Sequence, residues 1–238
     1  MIYNRFNIIV NTLYIPQETI TRRKFALMIF RLDERLIFPD PALAEPDGLL
    51  AIEGDLSVER LLLAYQNGIF PWYSDDSPIL WYSPHERFVL SPAKLKVSKS
   101  MRQVVRSGKF DITQNQCFTD VVEACSIVER PGQDGTWITD EMKNAYEQLH
   151  KNGYAHSIEV WENGELVGGF YGVQIGSVFC GESMFSKASN ASKTALVWLC
   201  QSGVYSLIDC QVHTEHLESM GAHMISREEY MLLLRDNA

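Results

Sequence analysis

The sequence has little of what membrane, secreted or metal-holding proteins need. No apolar run in its 238 residues approaches the roughly 20 needed to cross a bilayer, so no membrane is expected as a partner. The first 35 residues have modest apolar runs at Ile8–Val10 and Phe25–Phe30. They lack the charged start, apolar centre and small-residue cleavage site of a signal peptide. Cysteine is scarce and odd in number. Cys117, Cys125, Cys180, Cys200 and Cys210 match no zinc spacing and read as free, mostly buried thiols in a reducing cytoplasm. None of the six histidines stands in an H-E-x-x-H spacing, so no metal is expected. G-x-S-x-G, P-loop and G-x-G-x-x-G motifs are absent. Positive charge is short as well: 21 Lys and Arg against 30 Asp and Glu leave a net charge of −9. Bulk charge therefore cannot attract a nucleic acid, and any such partner must meet a local patch.

What is present suits a soluble globular chain. It is 46% hydrophobic and long enough for one large domain or two small ones. Residues 1–35 carry mixed periodicity and a small basic cluster, Arg22, Arg23 and Lys24. Residues 36–55 are dense in Pro and Gly and read as loop. Ser57 caps a helix over about 58–67 that stops at Gly68. In the following stretch Trp72, Tyr73, Trp81 and Tyr82 read either as a small core or as platforms for stacked bases. The missing positive charge is concentrated next. Lys94, Lys96, Lys99, Arg102, Arg106 and Lys109 follow with no acid between them. From Lys99 their spacing puts four cations on one face of a helix over 99–109. Such a face is either plainly solvated or suited to a phosphate backbone.

Helices over about 116–128 and 140–151 come next, with Trp137 in the loop before the second and Thr139 as its cap. From Ala155 the period falls to two. His156–Trp161, a type I′ turn at Asn163-Gly164 and Glu165–Val173 form a hairpin, continued by a strand at Ser177–Glu182. A helix over 191–202, a strand at 206–211, a helix over 213–220 and a last helix opened by a Ser226/Glu229 capping box complete the chain. This order is α+β and like that of the N-acetyltransferase superfamily. It predicts a small N-terminal α/β domain over 1–86, with 1–35 as an extension, and a larger acetyltransferase-like (GNAT-like) domain over 87–238.

Candidate chemistry gathers at two strand ends. Gly176–Lys193 begins as an apolar strand that ends on Glu182, a site residue or a paired structural charge. Leu207–Gln211 buries Asp209 in an apolar run, with Gln211 two residues on and hence on the same side. A buried carboxylate needs a partner. Asp209 either fixes the amide of Gln211, turning its oxygen towards a substrate, or belongs to a purely structural pair. Gly168, Gly169 and Gly172 mark close backbone approach within strands. The loop Ser186–Lys193 lacks the glycines with which an acetyltransferase wraps a pyrophosphate, which argues against acetyl-CoA.

Several segments, in order along the chain, resemble one family. They include Glu45-Pro-Asp-Gly-Leu-Leu-Ala, Ala64-Tyr-Gln-Asn-Gly-Ile-Phe-Pro-Trp, Pro78-Ile-Leu-Trp-Tyr-Ser-Pro, Gly135-Thr-Trp-Ile-Thr, Phe179-Cys-Gly-Glu-Ser-Met-Phe-Ser, Asn190-Ala-Ser-Lys-Thr-Ala-Leu and Leu207-Ile-Asp-Cys-Gln-Val. The chain is similar to the bacterial leucyl/phenylalanyl-tRNA–protein transferases. That resemblance implies an enzyme, working as a monomer without cofactor. It moves leucine, phenylalanine or less often methionine from aminoacyl-tRNA to the N-terminal Arg or Lys of a protein, marking it for degradation. It implies Asp209 and Gln211 as the catalytic pair, and Glu182, Phe170, Phe179, Leu196 and Ile208 as the amino-acid pocket, with Ser186 beside it. Trp72 and Trp137 would meet the terminal adenosine, and the basic set Lys94–Lys109 the tRNA phosphates. Leu199 and Gly203 stand where the family pattern has aromatics. Because both tryptophans lie far upstream, the site is expected between the two domains. Two other functions fit parts of the pattern: an acyl-CoA-dependent N-acetyltransferase, and a non-enzymatic module that binds basic N-termini.

Overall fold

A computed structural model describes residues 29–128 and 137–237. The cluster Arg22, Arg23 and Lys24, most of the 1–35 extension and the loop up to Thr136 lie outside the described residues.

A four-stranded sheet comes first in the chain. It contains β1 (Phe30–Leu32), β2 (Leu49–Glu53), β3 (Phe70–Pro71) and β4 (Leu80–Tyr82), in the order β1-β2-β4-β3. Helix α1 (Val58–Gln66) runs between β2 and β3, with Ser57 accepting the Arg60 N–H at 3.4 Å. β2 lies in the stretch read as loop. Its apolar run is short and framed by Gly48 and Gly54, both at positive φ, so glycine punctuation hid a real strand.

The second sheet has seven strands, drawn from the rest of the chain. Its elements in chain order are β5 (Glu86–Leu90), α2 (Lys99–Arg106), β6 (Asp111–Gln114), α3 (Phe118–Ser126), α4 (Asp140–Lys151), β7 (Ala155–Glu162), β8 (Glu165–Ile175), β9 (Val178–Ser186), α5 (Ala191–Gln201), β10 (Leu207–Gln211), α6 (Glu215–Ser219), β11 (His223–Ser226) and α7 (Arg227–Asn237). The strand order is β11-β5-β10-β9-β8-β7-β6. This is an α+β arrangement, as expected. The β7–β8 hairpin turns through Asn163 at φ 54° and Gly164 at φ 82°, the two positive values a type I′ turn requires.

β9 runs four residues past its expected end at Glu182, because Ser183–Ser186 continue to pair with β8. β5, β6 and β11 were not expected. β6 and β11 are only four residues long, and β5 carries a charged residue, Arg87, inside its apolar run. α2 stops at Arg106, ahead of Gly108 at φ 66°, so Lys109 leaves the basic face and pairs with Glu162 at 3.5 Å. α6 is shorter than the 213–220 pattern because Thr214 caps it late, accepting the Leu217 N–H at 3.2 Å.

Two apolar clusters sandwich the large sheet. Tyr171, Val173 and Cys180 face α3 and α4, while Phe170, Phe179 and Ile208 face α5. The α5 side needs glycine in β8. A Cβ on Gly168 would lie 2.6 Å from that of Ala191, and one on Gly172 would meet the Phe179 ring at 2.5 Å. Within this sheet only β9 and β10 are parallel. Their ladder joins Val178–Cys180 to Leu207–Asp209 and stops there. That stop positions the site. Among the described residues no helix is long and apolar enough to cross a membrane, and no cluster of three or more His, Cys, Asp or Glu could hold a metal.

Candidate active site

A cavity of about 460 Å³ opens where the β9–β10 ladder ends. Phe170, Phe179, Leu196 and Ile208 form its apolar wall, with Phe170 and Phe179 edge to face at 5.7 Å. Trp72, following β3, and Trp137, before α4, both line it. The aromatic stretch thus divides. Trp81 is fully buried and donates Nε1–H to the Glu53 carbonyl at 2.7 Å, and Tyr73 is buried. Trp72 is 43% exposed and leans on Tyr82 with ring centres 5.8 Å apart, so it keeps a free aromatic surface at the cavity.

Asp209 and Gln211 meet at the cavity, but not in the way their spacing predicts. The register slips between them and Gln211 sits at φ 59°, a left-handed conformation uncommon for a residue with a Cβ. Asp209 Oδ1 accepts the backbone N–H of Gln211 at 2.8 Å, which holds that turn. The side-chain amide of Gln211 points elsewhere, donating to Glu182 Oε1 at 2.9 Å. Asp209 therefore fixes the backbone of Gln211 and Glu182 fixes its amide.

The charge partner of Asp209 is Arg87 of β5. Its Nη2 forms a very short ion pair with Oδ2, and its Nε lies 3.4 Å from Oδ1. Tyr230 of α7 donates to Oδ2 at 2.7 Å. Arg87 also donates to the Gly68 carbonyl at 3.1 Å and is held between the rings of Phe70 and Tyr230. Burial works to lower the Arg87 pKa, but the Asp209 charge outweighs it and the guanidinium stays charged.

Among the described residues no cation forms an ion pair with Glu182. Tyr65 of α1 donates to its Oε1 at 2.8 Å, Tyr146 of α4 donates to its Oε2 at 2.9 Å, and the two phenol oxygens lie 2.5 Å apart. Burial pushes Glu182 from 4.5 up to about 7, although its hydrogen bonds from the tyrosines and Gln211 pull it down. Sequence reasoning missed Arg87, Tyr230, Tyr65 and Tyr146. A signal existed for two of them. Arg87 in an apolar strand is the complement of Asp209 in another. Tyr146 shares a helix face with Met142 and Leu149, a core position where a phenol needs a partner.

A family model described as leucyl/phenylalanyl-tRNA protein transferase matches residues 89–235, and one for the N-terminal domain of the same proteins matches 54–85. The transferase of Syntrophobacter fumaroxidans is 56% identical over 212 residues, 88% of this chain and 91% of that protein. That of an Anaeromyxobacter strain is 54% identical, over 87% of this chain and 90% of its own. The chain belongs to the leucyl/phenylalanyl-tRNA–protein transferases. It is an aminoacyltransferase. Among solved structures, FemX is similar with 11% identity and a TM-score of 0.48, covering 78% of this chain and 74% of its own. A GCN5-related N-acetyltransferase from Kribbella flavida covers 68% and 58% at a TM-score of 0.34. At such scores neither likeness carries an argument.

The remaining candidates of the transferase separate by location. Ser186 is exposed and outside the cavity lining, and its hydroxyl donates to the Ala188 carbonyl at 2.9 Å to shape the turn into α5. Leu199 is buried and Gly203 faces open space, so neither departure from the transferase pattern touches the cavity. His216 lines it from α6. Cys210 lines it too, but burial raises its thiol and disfavours a nucleophilic thiolate. Lys94, Lys96, Lys99, Arg102 and Arg106 are exposed, and none forms an ion pair among the described residues.

Proposed function

We propose that the chain transfers leucine, phenylalanine and, less readily, methionine from tRNA to the N-terminal Arg or Lys of cytoplasmic proteins, marking them for degradation. One observation carries this reading: a mostly apolar cavity of about 460 Å³ opens beside Gln211, with an exposed tryptophan at its wall. An aminoacyl ester is already activated, so the protein mainly has to align two substrates. The cavity takes the apolar side chain and rejects charged or poorly shaped ones by desolvation and fit. Trp72 and Trp137 stack the terminal adenine. Lys94, Lys96, Lys99, Arg102 and Arg106 hold acceptor-stem phosphates without reading sequence. The Lys96 N–H donates to the Met220 carbonyl at 2.8 Å, which ties this basic segment to α6 and its lining residues His216 and Leu217.

Gln211 is the residue that orients the incoming amine. Its amide nitrogen is held by Glu182, and no described residue engages its oxygen. Asp209 positions that amide through the turn and does not act as base, because its acceptor sites are already filled. A cationic acceptor end suits a chain of net charge −9 whose pocket carboxylate, Glu182, pairs with no cation among the described residues. The test is direct. Labelled Phe-tRNA should label a protein beginning with Arg or Lys and leave one beginning with Ala unlabelled. Folded protein that transfers nothing, or labels all three alike, overturns the reading.

A further inference from the structure

Three oxygen groups meet at the inner side of the cavity, and their protons do not add up. Tyr65 and Tyr146 each donate to Glu182, and their own oxygens also touch at 2.5 Å. Each phenol has one proton. With Glu182 ionised, two protons must serve three contacts, and one contact has none. With Glu182 protonated, each contact has its own and the ring is complete. The ring thus favours the arrival of one proton.

Resting on the reading that an amine attacks an aminoacyl ester here, we propose that Glu182 is the group that takes the proton from the acceptor's α-ammonium, with Tyr65 and Tyr146 as positioning residues that close the ring around it. An ionised carboxylate offers about four acceptor sites. Tyr65 and Gln211 use Oε1 and Tyr146 uses Oε2, which leaves one site on Oε2; a proton taken there turns about the C–O bond towards the Tyr146 oxygen, the Tyr146 proton turns to Tyr65, and each ring contact then has its own. Glu182 lines the cavity beside Gln211, whose amide oxygen orients the same amine. Asp209 cannot take this role, since Arg87, Tyr230 and the Gln211 N–H occupy it.

The other titratable groups near Glu182 come from the elements packed around it. From α1 and α4, burial and the Glu182 charge hold the Tyr65 and Tyr146 phenols well above 10. Tyr171 of β8 meets the Tyr146 ring edge-on at 5.4 Å. On β9, burial raises the Cys180 thiol and keeps it protonated. On β10, Asp209 is matched by the charge of Arg87 from β5, beside Tyr230 of α7, whose phenol burial also raises. His216 of α6 shares the cavity, and burial lowers its pKa, favouring the neutral ring. Glu182 is raised by burial to about 7, the range in which a base acts at neutral pH.

The step balances. An N–H bond of the α-ammonium breaks, its electron pair stays on nitrogen, and Glu182 gains an O–H. The neutral amine attacks the ester carbonyl carbon, and the bond from that carbon to the ribose oxygen breaks. The surplus proton on the new amide nitrogen leaves with the ribose oxygen as a hydroxyl, and Glu182 releases its own proton to water.

The experiment compares two nucleophiles in single-turnover transfer from Phe-tRNA, using wild type and Glu182→Gln. One peptide begins with Arg and carries the ordinary α-amine. The other carries the same sequence with an N-terminal aminooxy group, which is neutral near pH 6. Glu182→Gln keeps the shape and accepts hydrogen bonds but cannot take a proton. Near pH 6 it should lose about a hundredfold with the amine, recover as pH approaches the amine's own value of about 8, and lose at least about tenfold less with the aminooxy peptide than with the amine. Tyr146→Phe removes a donor to the carboxylate, so the acid limb of the amine profile should move to higher pH. Equal loss with both nucleophiles makes Glu182 a wall of the pocket and overturns the proposal, as does no loss with either. An unmoved acid limb in Tyr146→Phe removes the ring from the mechanism. Wild type inactive with both peptides refutes the transfer reading itself and this proposal with it.

Discussion

Asp209 and Glu182 sit on neighbouring strands at one end of one sheet, and the fold treats them oppositely. Asp209 faces a full cation, and Arg87 in turn is clamped between two rings. Two contacts from Arg87, one from Tyr230 and one from a backbone N–H fill its acceptor sites. Among the described residues Glu182 accepts from neutral donors, a side-chain amide and two phenols with a proton too few between them. A carboxylate beside a cavity is therefore not by that fact a reacting group. What decides is whether its partners have already matched its charge. Asp209 is a strut that shapes the turn bearing Gln211, and Glu182 is the group with capacity left.

The largest expected effect tests the strut. Asp209→Ala leaves Arg87 buried and uncompensated, which should cost about 3–5 kcal/mol of stability in urea unfolding. Replacing both partners, as Arg87→Met with Asp209→Leu, should recover much of that loss, because two apolar groups leave no orphaned charge. A single Asp209→Ala variant as stable as wild type, with only turnover lost, would break the contrast and return Asp209 to the chemistry.

The next effect tests the other carboxylate. Glu182 has a folded pKa of about 7 against 4.5 when exposed, so the folded state binds the extra proton between those values. Stability from this group is full below about pH 4.5 and is lost as pH rises through about 7, opposite to a salt-bridged acid. The difference in unfolding free energy between wild type and Glu182→Gln should change by on the order of 2 kcal/mol between pH 4.5 and 7.5. A difference that does not vary with pH would mean that Glu182 titrates as an exposed acid does.

These two residues also mark how far the sequence could be read. Period-two and period-3.6 patterns were long in β7, β8, α4 and α5, and there the elements match within a few residues. Short edge strands such as β6 and β11 offer four residues each, too few for a period to stand out. The wall residues Phe170, Phe179, Leu196 and Ile208 follow from the resemblance and not from any period. The hydrogen-bond map was not legible. It depends on a left-handed Gln211 that breaks the two-residue alternation, and on Arg87, 122 residues away from Asp209. Period alone cannot foresee a slip in register, so spacing offers Asp209 as a partner of the Gln211 amide where the structure gives Glu182.

The same contrast, partners matched or unmatched, applies to the cations. Lys99, Arg102 and Arg106 project from α2 without an acid, whereas Lys109 pairs with Glu162 and lies over the Phe110 ring. Removing the first three charges should weaken tRNA binding by about tenfold or more at moderate salt and reduce the log–log salt slope by about one per cation. Lys109→Ala should change the slope by less than any one of them. Equal slopes for Lys109→Ala and Arg102→Ala would show that a modest surface ion pair does not withhold a cation from the nucleic acid.

Ser186 is the smallest case and the sharpest control. It lies on the same strand as Glu182, four residues on, and resemblance had put it in the pocket. Its hydroxyl donates to the Ala188 carbonyl and accepts the Ser192 N–H at 3.4 Å, so its hydrogen bonds stay within the turn. Ser186→Ala should shift stability by about 0.5 kcal/mol or less and leave kcat/KM for Phe-tRNA within about twofold. If it instead lowered kcat/KM tenfold with stability unchanged, a hydroxyl satisfied by the fold would be acting on substrate. Satisfied partners would then no longer separate struts from working groups in this site.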